Sequence, residues 1–100
     1  MPEKLHSSEI QHLEGSQGGA FVVERAGRRL AEMTYTNHGP ARISIDHTEV
    51  KDDLRGTGAG GKLVEAAVLW ARAAGKKITP ICPFAKSVFD KTPEYQDVLA

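Results

Sequence analysis

The sequence contains a single cysteine, Cys82, so no disulfide bond can form within the chain. None of its four histidines accompanies a Cys-x-x-Cys pair, which argues against a structural zinc site. No apolar run approaches the roughly 18 residues that a membrane-spanning helix needs. The polar segment from Met1 to Ser8 lacks the apolar core of a signal peptide. We therefore expect a soluble, cytoplasmic protein without a bound metal ion.

An excess of charge of either sign is also lacking, because 13 basic residues balance 13 acidic residues. A dedicated nucleic-acid-binding protein normally carries a basic excess, so we expect no nucleic-acid partner and, without a spanning segment, no membrane partner. A chain of 100 residues suffices for one domain with a core but leaves little surface for a separate substrate-binding layer. We expect a single domain over residues 9–99 that is a monomer or a weak dimer.

Alternation of apolar and polar residues predicts an antiparallel sheet in the first half of the chain. A first strand ends at the polar, glycine-rich turn from Glu14 to Gly19. The run from Phe21 to Arg25 is then expected to pair with Arg29 to Thr36 as a hairpin. A fourth strand is predicted over Arg42 to Val50.

The second half of the chain predicts a single βαβ crossover. Helical spacing of apolar residues predicts a helix over Lys62 to Ala74, with Gly75 as its stop. A fifth strand is predicted over Lys76 to Cys82, a short helix over Ala85 to Lys91, and one further turn in the tail from Pro93 to Leu99. The sequence therefore predicts a compact α+β fold whose mixed, mostly antiparallel sheet includes one βαβ unit.

The segment from Arg55 to Lys62 places four glycines between a predicted strand and a predicted helix. The backbone N–H groups of such a loop, beside the positive end of the helix dipole, form an anion site that suits phosphate. A P-loop would need serine or threonine where Leu63 stands. A dinucleotide-binding fold would need the motif on its first strand and an acidic residue on the next strand, and neither condition is met. A flexible turn without a ligand remains the alternative.

A third phosphate motif, Gln/Arg-x-x-Gly-x-Gly/Ala, matches Arg55, Gly58 and Gly60 in the expected context of a preceding strand and a following long helix. On these residues, the sequence resembles the GNAT superfamily of N-acetyltransferases. It is most similar to small single-domain members that carry His-Thr-x-Val, Arg-Gly-x-Gly and Cys-Pro-Phe motifs. Here these motifs are His47–Val50, Arg55–Gly58 and Cys82–Phe84.

This resemblance implies that the chain binds acetyl-CoA, with the coenzyme A pyrophosphate on the glycine-rich loop and the pantetheine arm in a splay between the fourth and fifth strands. Pro80 and Pro83 suit such a splay, because each removes a backbone donor where pairing should stop. The residues that the resemblance implies for cofactor binding are Val50, Arg55, Gly56, Thr57, Gly58, Ala59, Gly60, Cys82, Phe84 and Lys86.

Acetyl transfer needs a base for the amine and a group that handles the leaving thiolate. Either His47 or Glu49 is a candidate base, and a regular fourth strand would place both on the face of Ile43 and Ile45; structural roles are the alternative. In many relatives a tyrosine protonates the thiolate, but Phe89 stands at that position. Cys82 is a candidate proton donor or transient acyl acceptor, with a buried structural role as its alternative.

The implied activity is acetyl-CoA-dependent N-acetylation of a primary amine. Longer members of the superfamily have helices between the first two strands and further strands at the C-terminus, and these build the acceptor site. Here the first two predicted strands are joined only by the turn from Glu14 to Gly19. The acceptor side should be open, which suits a protein lysine or N-terminus. The alternative is a module that binds coenzyme A or acyl-CoA without efficient catalysis.

Overall fold

Five strands form one mixed sheet in the computed structural model, which describes residues 4–100. The strands are β1 (Ile10–Glu14), β2 (Gly18–Arg25), β3 (Arg28–Asn37), β4 (Arg42–Val50) and β5 (Lys77–Pro80). They lie in sequence order; β1 to β4 are antiparallel to their neighbours, whereas β5 is parallel to β4. The predicted α+β fold with one βαβ unit is confirmed.

Two α-helices and three short 3-10 segments complete the described chain. The helices are α1 (Ala59–Ala74) and α2 (Pro83–Lys91), and the 3-10 segments are Ser7–Glu9, Asp52–Leu54 and Pro93–Val98. Helix α1 begins inside the predicted glycine-rich loop, and α2 begins at a proline, whose fixed φ suits a first helical position. Within residues 4–100, no helix is both long enough and apolar enough to cross a membrane.

Both α-helices and the 3-10 segments Asp52–Leu54 and Pro93–Val98 pack against one face of the sheet. Leu63, Val64, Ala67, Val68 and Ala71 of α1 have no exposed surface and lie at helical spacing. They form one core with inward residues of the sheet, with Ala85 and Phe89 of α2, and with Leu54 and Val98 of the 3-10 segments. The opposite face, called the outer face below, is covered by no helix of residues 4–100.

Pairing between β4 and β5 stops well before β4 ends. The last paired residues are Ile45 and Pro80, and the Ile45 carbonyl then accepts hydrogen bonds from the N–H groups of both Ile81 and Cys82. Strand β5 is therefore shorter than the predicted Lys76 to Cys82. Residues 46–50 of β4 continue without a β5 partner, so the predicted splay between the fourth and fifth strands is present.

A β-bulge in β4 changes which side chains face the core. Ile45 lies opposite Tyr35 and His47 lies opposite Thr34, so Asp46 is an extra residue on β4. Beyond the bulge, Thr48 and Val50 pair with the buried Met33 and Ala31 and share their face.

The same bulge turns His47 and Glu49 to the outer face, where both side chains are exposed. The expectation that they would continue the face of Ile43 and Ile45 is therefore wrong, because an extra residue reverses the period-2 alternation of a strand.

An aromatic cluster lies where β1 meets α1. The ring of His12 stacks on Phe21 with a centroid distance of 4.1 Å, and its Nε2 lies 2.7 Å from the hydroxyl oxygen of Tyr35. Trp70 of α1 contacts the imidazole edge-on at 4.6 Å. Burial lowers the pKa of His12 from its ordinary value of 6.5, although the Glu14 carboxylate partly opposes the shift.

We expect acid to weaken the fold through His12. Because its pKa is lower in the folded chain, the unfolded chain binds more protons as the pH falls below about 6.5, and the free energy of unfolding decreases. Urea unfolding between pH 7.5 and 5.5 measures this slope. His12→Phe keeps the ring stacking and should flatten the slope; an unchanged slope in this variant would exclude His12 as its source.

Candidate functional site

A cleft of about 440 Å³ opens where β4 and β5 separate. It is bounded by the end of β4, the loop that follows, the first turn of α1 and the start of α2. Its lining residues are Thr48, Val50, Leu54, Arg55, Gly56, Gly58, Ala59, Gly60, Gly61 and Phe84. Seven of the ten predicted cofactor-binding residues thus line one cleft: Val50, Arg55, Gly56, Gly58, Ala59, Gly60 and Phe84.

The start of α1 presents free backbone donors to this cleft. Gly58 is the residue before the helix, has a φ of 79° and offers no side-chain cap. The first bond of the helix runs from the Lys62 N–H to the Gly58 carbonyl at 3.0 Å, so the N–H groups at positions 59–61 have no partner within the helix. A Cβ atom added at Gly58 or Gly61 would meet no atom within 4 Å. This turn has the open space and the donors that a pyrophosphate needs.

Arg55, Thr57 and Lys86 have different positions around this loop. The Arg55 side chain is largely exposed at the rim and forms a 2.7 Å ion pair with Asp52. Thr57 is buried below the loop, with its hydroxyl donating to the Leu54 carbonyl at 2.6 Å. Its N–H bonds the same carbonyl, so Thr57 shapes the loop and presents neither donor to the cleft. Lys86 lies outside the lining, on the exposed side of α2 near Asp90.

Phe84 closes one side of the cleft against the glycine-rich turn. A Cβ atom at Gly60 would lie 2.7 Å from Cζ of the Phe84 ring, so the ring lies directly on the glycine backbone. The ring is nevertheless 42% exposed, which is unusual for a large apolar side chain. Glycine at position 60 therefore permits an aromatic wall for the cleft.

Cys82 is the residue immediately before α2 and lies behind Thr48. Its Sγ is 3.5 Å from Oγ1 of Thr48, and the residue is 6% exposed. Burial by itself raises the pKa of the Cys82 thiol, but its hydrogen bond with the Thr48 hydroxyl and those with the backbone of Ala85, Phe84 and Thr48 outweigh burial, so the pKa is lowered. A helix N-terminus also favours a thiolate. The arrangement suits a nucleophilic sulfur.

The structure separates the predicted catalytic residues. Cys82 contacts Thr48, which lines the cleft. His47 and Glu49 lie on the outer face, across the strand from the thiol. Glu49 is 3.7 Å from Lys51, which partly neutralises its charge.

Thr48, Leu54 and Gly61 line the cleft but were not predicted as site residues. Gly61 belongs to the same glycine-rich run, and its position could have indicated it. Thr48 could not be found from strand alternation, because the bulge alone turns its side chain toward the cleft.

Comparison with protein families agrees with the fold and the loop. The sequence model of the GCN5-related N-acetyl-transferase family matches residues 20–98. A GCN5-like protein from Staphylococcus aureus, with a solution structure determined by NMR, has 38% sequence identity and a TM-score of 0.71. The match covers 93% of this chain and 90% of the Staphylococcus aureus chain. No curated protein matches the chain significantly.

Two more distant structures share the fold. A ribosomal-protein-alanine N-acetyltransferase from Brucella melitensis biovar Abortus has 18% identity and a TM-score of 0.59, over 86% of this chain and 64% of that chain. An aminoglycoside N-acetyltransferase crystallised with coenzyme A has 11% identity and a TM-score of 0.55, over 77% of this chain and 67% of that chain. Both are matched over a smaller share of their length than the Staphylococcus aureus protein.

Proposed function

Because this chain belongs to the GCN5-related N-acetyltransferase family, we propose that it uses acetyl-CoA to acetylate a primary amine carried by a protein. The observation that carries the proposal is the turn at Gly58, where three backbone N–H groups lie beside a cleft lined by Thr48, whose Oγ1 is 3.5 Å from the Cys82 sulfur. The N–H groups would hold the pyrophosphate, and Thr48, Val50 and Phe84 would flank the pantetheine arm. The distant relative crystallised with coenzyme A supports this choice of ligand.

Bound acetyl-CoA would supply an acetyl thioester. Cys82 is proposed to accept the acetyl group on Sγ, with the coenzyme A thiolate as leaving group. A lowered pKa favours the thiolate, so Cys82 is better suited as an acyl acceptor than as a proton donor. This route does not need the tyrosine that protonates the thiolate in many relatives. Phe89 stands at that position, is 1% exposed in the core and has no proton to donate. The roles of His47 and Glu49 as bases remain predictions.

A module that binds coenzyme A without efficient turnover is the second candidate. The observation in its favour is the outer face of the sheet, which no helix of residues 4–100 covers, so no helix encloses an acceptor on that face. Efficient acetylation of a peptide lysine would exclude this candidate, since a pure binding module consumes no acetyl-CoA beyond the hydrolysis background.

The proposal is tested first by calorimetric titration of the purified protein with acetyl-CoA, using ATP and NAD as controls. We expect saturable binding of acetyl-CoA and no comparable binding of either control. Acetyl-CoA consumption is then measured with a panel of peptide and small amines. Equal binding of ATP would contradict the assignment of the loop, and binding without consumption would favour the module.

A further inference from the structure

A second concave site lies on the outer face, where pairing between β4 and β5 ends. It has a volume of about 240 Å³ and is lined by His38, Arg42, Ser44, Thr79 and Ile81. Ile81 is 60% exposed and contributes an apolar wall. We call this site the outer groove; none of its residues belongs to the cleft beside the glycine-rich turn.

A chain of hydrogen bonds runs along the outer groove. Nε2 of His38 lies 2.8 Å from Oγ of Ser44, and the Ser44 hydroxyl donates to Oδ1 of Asp46 at 2.8 Å. The hydroxyl of Thr36 donates to Oδ2 of the same carboxylate at 2.5 Å. Ser44 is only 2% exposed, so its hydroxyl is held between His38 and Asp46.

Asp46 has the properties of a site for a cation. It is exposed, and no lysine, arginine or histidine within residues 4–100 forms an ion pair with it. A carboxylate has about four lone-pair positions, and the two hydroxyl groups occupy only part of them. Position 46 is also the extra residue of the β4 bulge, which turns its side chain toward Ser44 and Thr36.

The outer groove and the Cys82 thiol flank the same strand opening. The Ile45 carbonyl accepts hydrogen bonds from the N–H groups of both Ile81 and Cys82. Asp46 follows Ile45 on one strand, and Cys82 follows Ile81 on the other. The carboxylate therefore lies on the outer side, and the thiol on the inner side, of the gap where the two strands begin to separate.

We propose that the outer groove receives the alkyl ammonium of a lysine side chain and that Asp46, held in place by Ser44 and His38, removes its proton; this rests on the proposed function. Asp46 binds the ammonium, and Ile81 contacts its methylene groups. Arg42, at the other end of the groove, suits a main-chain carbonyl of the acceptor peptide. A free N-terminus has no comparable methylene chain to cross the groove.

Each proton released in this step has an acceptor. The ammonium gives one proton to the Asp46 carboxylate, and this exposed carboxyl group then releases the proton to water. The neutral amine nitrogen bonds to the acetyl carbon as the bond from that carbon to the Cys82 sulfur breaks. The second amine proton returns to the departing thiolate. Asp46 is thus the catalytic residue that touches the substrate, and Ser44 and His38 are positioning residues.

Binding is tested by NMR titration of the full chain with Nα-acetyl-lysine amide, with glycine amide representing an α-ammonium. We expect amide shifts at Thr36, His38, Ser44 and Asp46 with the lysine compound only. Asp46→Asn should weaken its binding roughly tenfold or more, as expected for a lost charge-assisted hydrogen bond. Glu32→Gln makes the same change on the same face, where Glu32 pairs with Arg29, and should have no effect. Absent shifts, or equal affinity in Asp46→Asn, would overturn the proposal.

Proton removal is tested by steady-state acetylation of the same lysine compound. Ser44→Ala should lower kcat at least tenfold with little change in KM, since it removes a hydrogen bond that orients the Asp46 carboxylate and keeps the charge that binds the ammonium. An unchanged kcat would overturn the positioning role of Ser44. If the proposed function is wrong, the calorimetric titration will show no binding of acetyl-CoA. The NMR titration then still decides whether the outer groove binds the ammonium.

Discussion

Replacement of Cys82 by alanine is expected to leave acetyl-CoA affinity unchanged and to lower acetyl transfer by about 100-fold or more, as found when an attacking group is removed. The sulfur lies behind Thr48 and away from the backbone donors of the Gly58 turn, so binding and chemistry depend on different groups. Calorimetry measures the affinity, and acetyl-CoA consumption with a lysine peptide measures the transfer. Intact-mass analysis without an amine should show one added acetyl group on the native chain and none on Cys82→Ala.

Cys82→Ser is the matched control, because it keeps the volume and a polar hydrogen but replaces the thiol by a poorly nucleophilic hydroxyl. It should behave like Cys82→Ala if the sulfur accepts the acetyl group. Thr48→Val removes the hydroxyl that helps to lower the thiol pKa and should slow the acylation without abolishing it. Wild-type transfer in Cys82→Ala would leave Cys82 with a structural role, and direct transfer from acetyl-CoA to the amine would then be required.

Most of the sheet could be predicted because β3 alternates apolar and polar residues and glycine-containing turns separate the first four strands. The hairpin of β2 and β3 extends one residue further at each end of β3 than predicted, at Arg28 and Asn37. The start of α1 could not be predicted from helix propensity, since glycine is disfavoured in a helix interior by about 1 kcal/mol. Ala59 and Leu63 are buried in the core, and this tertiary packing offsets the low helix propensity of the glycines between them.

The candidate site was predictable where it depends on the local chain and unpredictable where it depends on strand register. Arg55, Gly58 and Gly60 follow from a contiguous motif, and the structure places all three at the cleft. The faces of His47 and Thr48 depend on a single extra residue, Asp46, that no local pattern marks. A bulge is visible only when the partner strand is known, so the register with β3 had to be observed.

The hydrogen-bonded chain of the outer groove was missed for a related reason. His38 lies in a turn, Ser44 in a strand, and Thr36 on a different strand, so nothing in their spacing suggests a cluster. The antiparallel register places Thr36 opposite Ser44, and the bulge adds Asp46 beside both. A site assembled across strands in this way needs tertiary structure for its detection.

Replacement of Gly58 by aspartate is expected to reduce acetyl-CoA affinity by at least about 100-fold, which corresponds to about 2.8 kcal/mol. The new side chain would project into the open space beside the free N–H groups of α1 and would place a negative charge where the pyrophosphate is proposed to bind. Aspartate is among the residues that best tolerate the left-handed conformation that Gly58 adopts, with its φ of 79°, so the fold should survive. Calorimetric titration measures the affinity, and circular dichroism checks the fold.

Two control variants separate charge from strain. Gly58→Asn has nearly the same shape and the same tolerance of a positive φ but no charge, so it should lose less affinity than Gly58→Asp. Gly27, in the turn between β2 and β3, has a φ of 76° and equally open surroundings, and Gly27→Asp should bind acetyl-CoA normally. If Gly58→Asp keeps wild-type affinity, the anion is not bound by this turn, and the proposal must be rebuilt on another part of the cleft. If Gly58→Asn and Gly58→Asp lose equal affinity, steric exclusion by the side chain accounts for the effect, because a neutral amide then obstructs the turn as strongly as a carboxylate.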